Sequence, residues 1–484
     1  MILYLDRAEV PDVESISPDV LRWCIQKAEQ ANGRYDRLYS YYLGEHPSLT
    51  AGKSTDVRVA VNYAKYVVDI ALGYYLGESV KYDANDRSDG AEPKATGDVE
   101  ATAALSEGET IDLAPLQDCY DAQQIGKVDS RIGKRMGVFG DCLELCYASS
   151  DEVPSPRSAC IDPRSGVLVC DATVEHNKLF ALVWEKRERT NGTQYYAVTV
   201  YTDRTVKQYQ AESLTAPFQA LDEGQPHFFG AVPVIAYENN DERQGDFEQI
   251  IPLIDAYDSL MTNRFTDKQK FVDALLVFFG MTLREGDQDS ISNDKTLDGV
   301  PLDARVEYIQ KTFDEAGVQV LSDAAVREMH KMTLTVDMSD EQFSGNSSGQ
   351  ALKLKLLTMN LLVKNKIQQM EEGLKERLAL YNNWLVAANR MKPFSVTDVD
   401  VRFTLSLPIN EPEIVQLVTS LQGIVDDQTL LSQLWFIKDP AEAVENIRKQ
   451  QEEKQKAYQA SFGLPRKSDT DDERAEEPDE EDKQ

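Results

Sequence analysis

The tetrapeptide GKST at 52–55 is the stretch of this sequence that comes nearest to a known catalytic motif. A phosphate-binding P-loop has a glycine five residues before its Gly-Lys pair, and it follows a buried strand. In this chain that position is Pro47, and a tyrosine-rich helix end precedes it. The tetrapeptide therefore gives no support to nucleotide binding.

Six cysteines are the other candidates for chemistry, as metal ligands or disulfide partners. They form no Cys-x-x-Cys pair. We expect Cys142 and Cys146 to share one face of a helix, with no histidine beside them to complete a zinc site. Because a chain of 484 residues needs no covalent staples, the pattern predicts free thiols in a reducing compartment, and neither a metal nor a cofactor. The other cysteines are Cys24, Cys119, Cys160 and Cys170.

The charge balance is strongly acidic, with 83 acidic and 51 basic residues and a formal net charge of −32 at pH 7. This acidity argues against adhesive binding to nucleic acid, because neutralising phosphates requires clustered lysine and arginine. It is compatible with a repulsive surface that confines a DNA duplex and lets it move. The longest apolar run, 274–281, is too short to span a bilayer, and no signal peptide is recognisable. We expect a soluble protein that stays inside the cell.

A polar stretch at 337–349, DMSDEQFSGNSSG, precedes the longest periodic segment. Apolar residues then recur at spacings of four, three and four from Leu352 to Leu385. This eleven-residue repeat keeps the apolar stripe on one face of a nearly straight helix. We expect a helix over 350–393, about 60 Å long and ended by Pro393. Its predicted solvated flanks are Lys364, Lys366, Glu371, Glu372, Lys375, Glu376 and Arg377.

Helical periodicity is also clear in the first 150 residues. Ser17 is a predicted cap, with proline at the first helical position, and Gly44 is the predicted stop. Further helices are predicted from 62 to about 77 and from 116 to 147. Almost no large apolar side chain occurs over 83–110, so we expect a mobile loop there.

Between residues 165 and 237 the period changes from helical to alternating. Short alternating runs separated by turn residues predict an antiparallel sheet. The fold class that we predict is therefore α+β, mainly helical. The runs are 165–171, 179–185, 195–201 and 206–209, followed by a buried strand within HFFGAVPVIAYENN.

Four segments occur in an order that resembles the portal proteins of the Gp6-like type, found in tailed bacteriophages. They are NYAKYVVDIALGYYLGESVKY, IDPRSGVLVCD, GAVPVIAYENNDERQGDFEQIIPLIDAYDSL and SGQALKLKLL. The similarity runs from about residue 62 to about residue 380, and the part after it matches only in layout.

The resemblance implies a homo-oligomeric ring of about twelve or thirteen subunits. The ring occupies one vertex of the virion capsid, after assembly in the host cytoplasm, as the head-to-tail connector. Double-stranded DNA is packaged and ejected through its central channel. The implied partners are the terminase large subunit, the scaffold and major capsid proteins, and the head-completion adaptor. The resemblance implies neither enzymatic activity nor a membrane.

Each part of such a subunit has a predicted counterpart. Residues 1–245 form the wing, 246–272 the first stem helix, 273–321 the clip, 322–336 the second stem helix and 337–349 the tunnel loop. Residues 350–393 form the long spine helix, 394–408 a strand returning to the wing sheet, 409–464 the helical crown and 465–484 a disordered acidic tail.

The clip is predicted to contain strands near 274–283, 304–310 and 317–321. An exposed apolar strand is prone to aggregate, so we expect the first of them to pair with neighbouring subunits.

Two groups of residues are the predicted contacts with DNA. The tunnel loop offers short polar side chains without fixed charge, although an ordinary solvent loop remains an alternative for it. The stem offers basic residues, with His330 beside them, for weak registration of the duplex. The loop residues are Ser344, Gly345, Asn346, Ser347, Ser348 and Gly349, and the stem residues are Lys268, Lys270, Arg327 and Lys331.

Two other classes of function compete with a channel. An enzyme would need a P-loop, a zinc ligand set or a nucleophile elbow, and the sequence contains no complete one. An internal scaffold or coiled-coil adaptor tends to be helical throughout, which the alternating segment 165–237 contradicts. Passive conduction of DNA, without ATP hydrolysis, is the function that the sequence favours.

Overall fold

The computed structural model describes residues 1–47, 49, 58–84, 111–213, 215–272, 275–280, 305–309, 315–337 and 356–406, with scattered positions between 419 and 454. The chain divides into two compact units, Met1–Leu407 and Pro408–Gln484. The first unit mixes helices and sheets and contains almost all of the described residues.

The longest elements described in the first unit are helices. They are α1 (Pro18–Leu43), α2 (Tyr63–Tyr75), α3 (Ala114–Gln123), α4 (Ile125–Phe139), α5 (Ile251–Val272), α6 (Glu315–Thr333) and α7 (Leu357–Ala387).

The strands are β1 (Ile2–Leu5), β2 (Lys81–Ala84), β3 (Asp141–Ala148), β4 (Pro156–Ile161), β5 (Gly166–Asp171), β6 (Lys178–Glu188), β7 (Gln194–Tyr201), β8 (Thr205–Ala211), β9 (Gln219–Ala220), β10 (Gln225–Pro226), β11 (Val234–Glu238), β12 (Leu275–Phe279), β13 (Arg305–Ile309) and β14 (Val399–Arg402). The main sheet has the order β1-β5-β6-β7-β8-β10, with β9 on β8. A second sheet has the order β11-β3-β4, and β12-β13 and β2-β14 form two-stranded pairs.

The two larger sheets stack face to face between helices. The first half of α1 packs on one face of the main sheet, and the second sheet packs on its other face. The opposite face of the second sheet lies against α4 and α7. The predicted antiparallel strands β5 to β8 are confirmed, whereas β1 joins the sheet in parallel to β5.

Helix α1 has the predicted bounds. The Ser17 side chain accepts a hydrogen bond from the Val20 amide at 3.4 Å, and Gly44 ends the helix in the left-handed region at φ 81°. Buried residues of the first half, including Leu21 and Ile25, join the sheet core. Those of the second half, including Tyr35, join the core formed by α2, α5 and α6. One helix thus belongs to two cores.

The predicted helix 116–147 is wrong in two places. Gln124, at φ 55°, separates α3 from α4, and Gly140, at φ 88°, ends α4. A Cβ on Gly140 would lie 2.0 Å from the Arg243 carbonyl oxygen, so only glycine fits. Strand β3 follows and carries Cys142 and Cys146, which therefore share no helix face. Because β3 is buried on both faces, its sequence lacks the alternation that identifies a strand.

The long helix α7 has 31 residues, fewer than predicted. Residues 350–355 lie outside the described part of the chain. At its other end Asn389 adopts φ 55°, and the amides of Asn389 and Arg390 donate to the carbonyls of Val386 and Leu385. This is a Schellman motif with asparagine at the left-handed position. It ends the helix before Pro393, which is not the terminator.

The prediction that Lys366 and Arg377 are solvated is wrong. Lys366 is 2% exposed and Arg377 is fully buried. The Lys366 ammonium lies 2.6 Å from Asp246 and donates to Asn239. Because these two cations are eleven residues apart, the apolar repeat of α7 places both on its buried side.

Arg377 binds two carboxylates on different elements. Its guanidinium lies 2.7 Å from Asp129 on α4 and 2.7 Å from Glu144 on β3. Glu144 also accepts a hydrogen bond from the Tyr237 hydroxyl at 2.6 Å. A Cβ on Gly373 would lie 2.3 Å from the Tyr237 ring, so this glycine of α7 makes room for the tyrosine.

The strand predicted after the long helix is present as β14. It pairs in antiparallel register with β2. The prediction that it joins the wing sheet is therefore wrong. The partner β2 follows the end of α2. This pairing brings the end of α7 back to the α2 region.

The described residues of the unit Pro408–Gln484 are few. Helical residues occur at 419–421, 430–431 and 446–451, and Gln422 forms an isolated bridge with Val425. The predicted tail 465–484 lies outside the described residues. Of the helices that the structure describes, none combines the length and hydrophobicity that a bilayer crossing requires.

We predict that Arg377→Met lowers the free energy of unfolding by about 3–5 kcal/mol, because Asp129 and Glu144 would stay buried without their cation. Chemical denaturation monitored by circular dichroism measures this loss. The control is Lys375→Met on the same helix, whose exposed pair with Glu371 is worth less than about 0.5 kcal/mol. Equal losses in the two variants would contradict the assigned role of Arg377.

Candidate functional site

The candidate site is the hairpin of α5 and α6 with residues 335–337, here called the stem hairpin. It carries all four basic residues predicted to contact DNA. The two helices pack against each other and against α1 and α2, in a core that includes Ile254, Tyr257 and Met329. At its base the Gln249 side chain donates to the Met332 carbonyl at 2.8 Å.

Helix α6 begins earlier than predicted. It starts at Glu315, so the predicted clip strand 317–321 is wrong and the predicted clip boundary at 321 falls inside this helix. The apolar strand β12 pairs in antiparallel register with β13 of the same chain. Its partner is thus a strand of this chain, where we had expected a neighbouring subunit.

One polar face of α5 attaches the hairpin to the first helices. The Tyr41 hydroxyl donates to Asp255 at 2.7 Å, and the Val59 amide donates to Thr262 at 3.1 Å. Between them Asp258 accepts from the Val61 amide at 2.9 Å. The spacing of three and four residues places all three α5 side chains on one helix face.

Asp258 also makes a fully buried contact with a histidine. Its second carboxylate oxygen contacts Nδ1 of His46, and both side chains are 0% exposed. The His46 ring stacks on Tyr41, with the centroids 4.9 Å apart. The sequence has no local signal for this pair, because its members are 212 residues apart.

The end of α6 is locked to α2. Leu334 adopts φ 55°, and the Thr335 amide donates to the His330 carbonyl at 3.1 Å. The Tyr66 hydroxyl donates to the Val336 carbonyl at 3.2 Å. Residues 335–336 are therefore held in place immediately before the predicted tunnel loop.

His330 faces inward, contrary to the prediction that it could point at the channel. Its ring meets Tyr63 and Tyr66 edge-to-face, at centroid distances of 6.2 and 5.6 Å. Asp337 lies 3.9 Å from Nε2. Burial lowers the pKa of His330, and Asp337 opposes this shift only in part.

The stem hairpin brings two of the predicted basic residues to one exposed face of α6. Lys331 is one turn beyond Arg327, and both are exposed. Arg327 donates to the Asp323 carbonyl at 3.3 Å, and Lys331 lies 3.5 Å from Glu328.

The other two basic residues lie on α5. Lys268 lies 3.3 Å from Glu315, which also contacts Arg264. These contacts hold the pKa of Glu315 below its ordinary value. The side chain of Lys270 and the loop residues 344–349 lie outside the described part of the structure.

The stem hairpin also exposes apolar side chains, two of which we predict from the sequence to lie in a clip strand. Val320 is 66% exposed, Leu321 59% and Phe265 52%. Since Arg264 and Lys268 reach Glu315, Phe265 lies at the level where α6 begins. The two helices of the hairpin thus both carry large apolar side chains that are open to contact with another protein surface.

Within the described residues, no group of three or more His, Cys, Asp and Glu side chains is arranged to hold a metal ion.

Comparison with known proteins assigns the chain to one family. The profile of the family described as phage portal protein, SPP1 Gp6-like, matches residues 21–457. The portal protein of Bacillus phage SPP1 is 24% identical over 440 residues, which cover 85% of this chain and 79% of that protein. The matched range 21–457 includes the second sheet, the strands of the main sheet other than β1, the stem hairpin and α7.

We predict that the end of α6 becomes less stable as the pH falls below about 6.5. The unfolded chain protonates this imidazole near that pH, whereas the folded chain keeps it neutral to lower pH, since the native pKa of His330 is lowered. Hydrogen exchange of the Thr335 amide, corrected for intrinsic rates, should therefore accelerate between pH 7.5 and 5.

The variant His330→Gln should lose this pH dependence. As a control, His227→Gln removes another imidazole of lowered pKa, whose ring contacts the Thr202 carbonyl, and should keep the pH dependence. An unchanged pH response in His330→Gln would exclude His330 as its source.

Proposed function

Because the chain belongs to the phage portal protein family of the SPP1 Gp6-like type, we propose that it forms the ring through which double-stranded DNA enters and leaves the capsid. The observation that carries this proposal is the family match over residues 21–457. Members of the family are structural components of the virion, and we propose that this chain hydrolyses no ATP.

The proposed ring brings the stem hairpins of neighbouring copies side by side. Support comes from Phe265, Val320 and Leu321, which are each more than half exposed in the single chain. A closed ring uses two different surfaces of each copy, so these side chains need a complementary patch on the next one. Burying them would favour association by the hydrophobic effect.

The channel wall is proposed to include the exposed face of α6, with Arg327 and Lys331, and the segment 344–349. Each cation has an acidic or carbonyl partner, so the wall would hold phosphates weakly. Lys268 and Lys270 are proposed as further contacts, and the pairing of Lys268 with Glu315 weakens its pull. Weak attraction suits conduction, because binding of many phosphates would stop the duplex.

The remaining partners follow from the proposed place in the particle. The terminase large subunit docks on the ring during packaging, and the head-completion adaptor and the tail proteins bind afterwards. The scaffold and major capsid proteins surround the ring, which has about twelve or thirteen copies. Assembly takes place in the host cytoplasm, before the ring becomes part of the virion.

We predict that Leu321→Asp abolishes ring formation, because it places a charge in the proposed apolar contact. Light scattering and negative-stain electron microscopy distinguish rings from single chains. The matched control is Val174→Asp, since Val174 is 97% exposed and lies on the loop after β5. Rings of normal size in Leu321→Asp, with the wild-type circular dichroism spectrum, would rule out this contact.

We predict that a rigid apolar replacement of 344–349 blocks DNA packaging and leaves the rings intact. The measurement is the amount of nuclease-protected DNA in particles assembled with the variant. The control replaces Thr190 and Asn191, in the exposed turn between β6 and β7, by alanine and should package normally. Normal DNA filling with the 344–349 variant would refute the tunnel-loop assignment.

A further inference from the structure

Two cysteines lie in contact on adjacent strands of the second sheet. The Sγ atoms of Cys142 on β3 and Cys160 on β4 are 3.4 Å apart. Cys160 is opposite Glu144 in the strand register, so the two thiols are diagonal neighbours on the same face of the sheet. Cys142 is fully buried, and Cys160 is partly accessible to solvent.

The surroundings of this pair favour reaction at Cys160. Arg135 on α4 donates to the Cys160 carbonyl at 3.2 Å, which brings its positive charge close to the sulfur. The hydrogen bond from Cys142 and the charge of Arg135 lower the pKa of Cys160. Burial raises the pKa of the other five cysteines, and the thiolate is the reactive form of cysteine.

We propose that Cys142 and Cys160 form a redox-active dithiol, which a small-molecule disulfide such as glutathione disulfide converts into a cross-link between β3 and β4. The Cys160 thiolate attacks one glutathione sulfur, and a mixed disulfide forms as the first glutathione thiolate leaves. Cys142 then loses its proton to that thiolate and attacks the Cys160 sulfur, releasing the second glutathione. Two protein thiols are oxidised, and one disulfide is reduced to two thiols.

The sulfur atoms are close, and part of the movement to a disulfide falls on the backbone, because diagonal neighbours have Cα atoms about 7–8 Å apart and a disulfide needs less than about 7 Å. A disulfide bond is about 2.05 Å long, so the two sulfur atoms must approach by about 1.4 Å. The other hydrogen bonds of the Cys142 thiol are long, at 3.5 and 3.8 Å to the carbonyls of Leu143 and Ile161, and give little resistance to this movement. The cross-link would join β4 to the strand that carries Glu144, the partner of Arg377.

The stage at which this pair meets an oxidant follows from the proposed function. Thiols stay reduced in the cytoplasm and meet oxidising conditions outside the cell. A portal ring that leaves the host in a virion makes this passage. The chemistry of the pair is independent of ring formation, so a test on the purified chain separates the two proposals.

The test treats native full-length protein with glutathione disulfide, quenches with acid, and then labels the remaining thiols in denaturant. Mass spectrometry should show that two of the six thiols have been consumed and should find a peptide joining Cys142 to Cys160. Cys142→Ser should instead accumulate one glutathione adduct on Cys160. Cys160→Ser should react at neither position.

A matched control, Cys119→Ser, removes a buried cysteine on α3 and should still form the cross-link. Six labelled thiols in the oxidised wild type would overturn the proposal. So would a lasting glutathione adduct on wild-type Cys160 without the joined peptide. If Cys142→Ser does not fold, the comparison of wild type with Cys160→Ser decides.

Discussion

The burial of two cations on one helix is the constraint on which the first unit depends. Arg377 and Lys366 of α7 are removed from water and meet carboxylates from α4, β3 and the segment after β11. Desolvating such charges costs several kcal/mol for each ion, and the cost is offset only when the geometry is good. A shift of α7 by a single residue would separate both cations from their partners. The ion pairs therefore specify one position of the helix against the second sheet, which the apolar stripe alone would leave less well defined.

Local signals in the sequence predicted the elements that local physics determines. Ser17 and Gly44 mark the ends of α1, because a side-chain cap and a left-handed glycine act within one turn of the helix. The short runs separated by turn residues over 165–211 predicted the antiparallel strands β5 to β8. Strand β3 escaped prediction because both of its faces are buried. The start of α6 was also missed, because the apolar residues Val320 and Leu321 suggested a strand. In the structure both lie exposed on a helix.

Long-range partners account for the rest of what the sequence did not predict. The sequence around Arg377 does not indicate its partners, Asp129 and Glu144, because they lie more than 230 residues earlier in the chain. In the same way, the sequence around His46 does not predict its contact with Asp258. The sequence around His330 does not predict its contacts with the two tyrosines of α2. Of the candidate site, the sequence predicted the helical hairpin and its basic residues, and the structure added their partners. The carboxylates of Glu315 and Glu328 offset the charges of Lys268 and Lys331, and Arg327 donates to the Asp323 carbonyl.

Helix α1 has 26 residues, about 39 Å at 1.5 Å per residue, and its two halves belong to different cores. A rod anchored at both ends transmits torque. The second half of α1 shares a core with the stem hairpin, and the first half packs on the main sheet. A force applied to the hairpin therefore reaches the main sheet through α1.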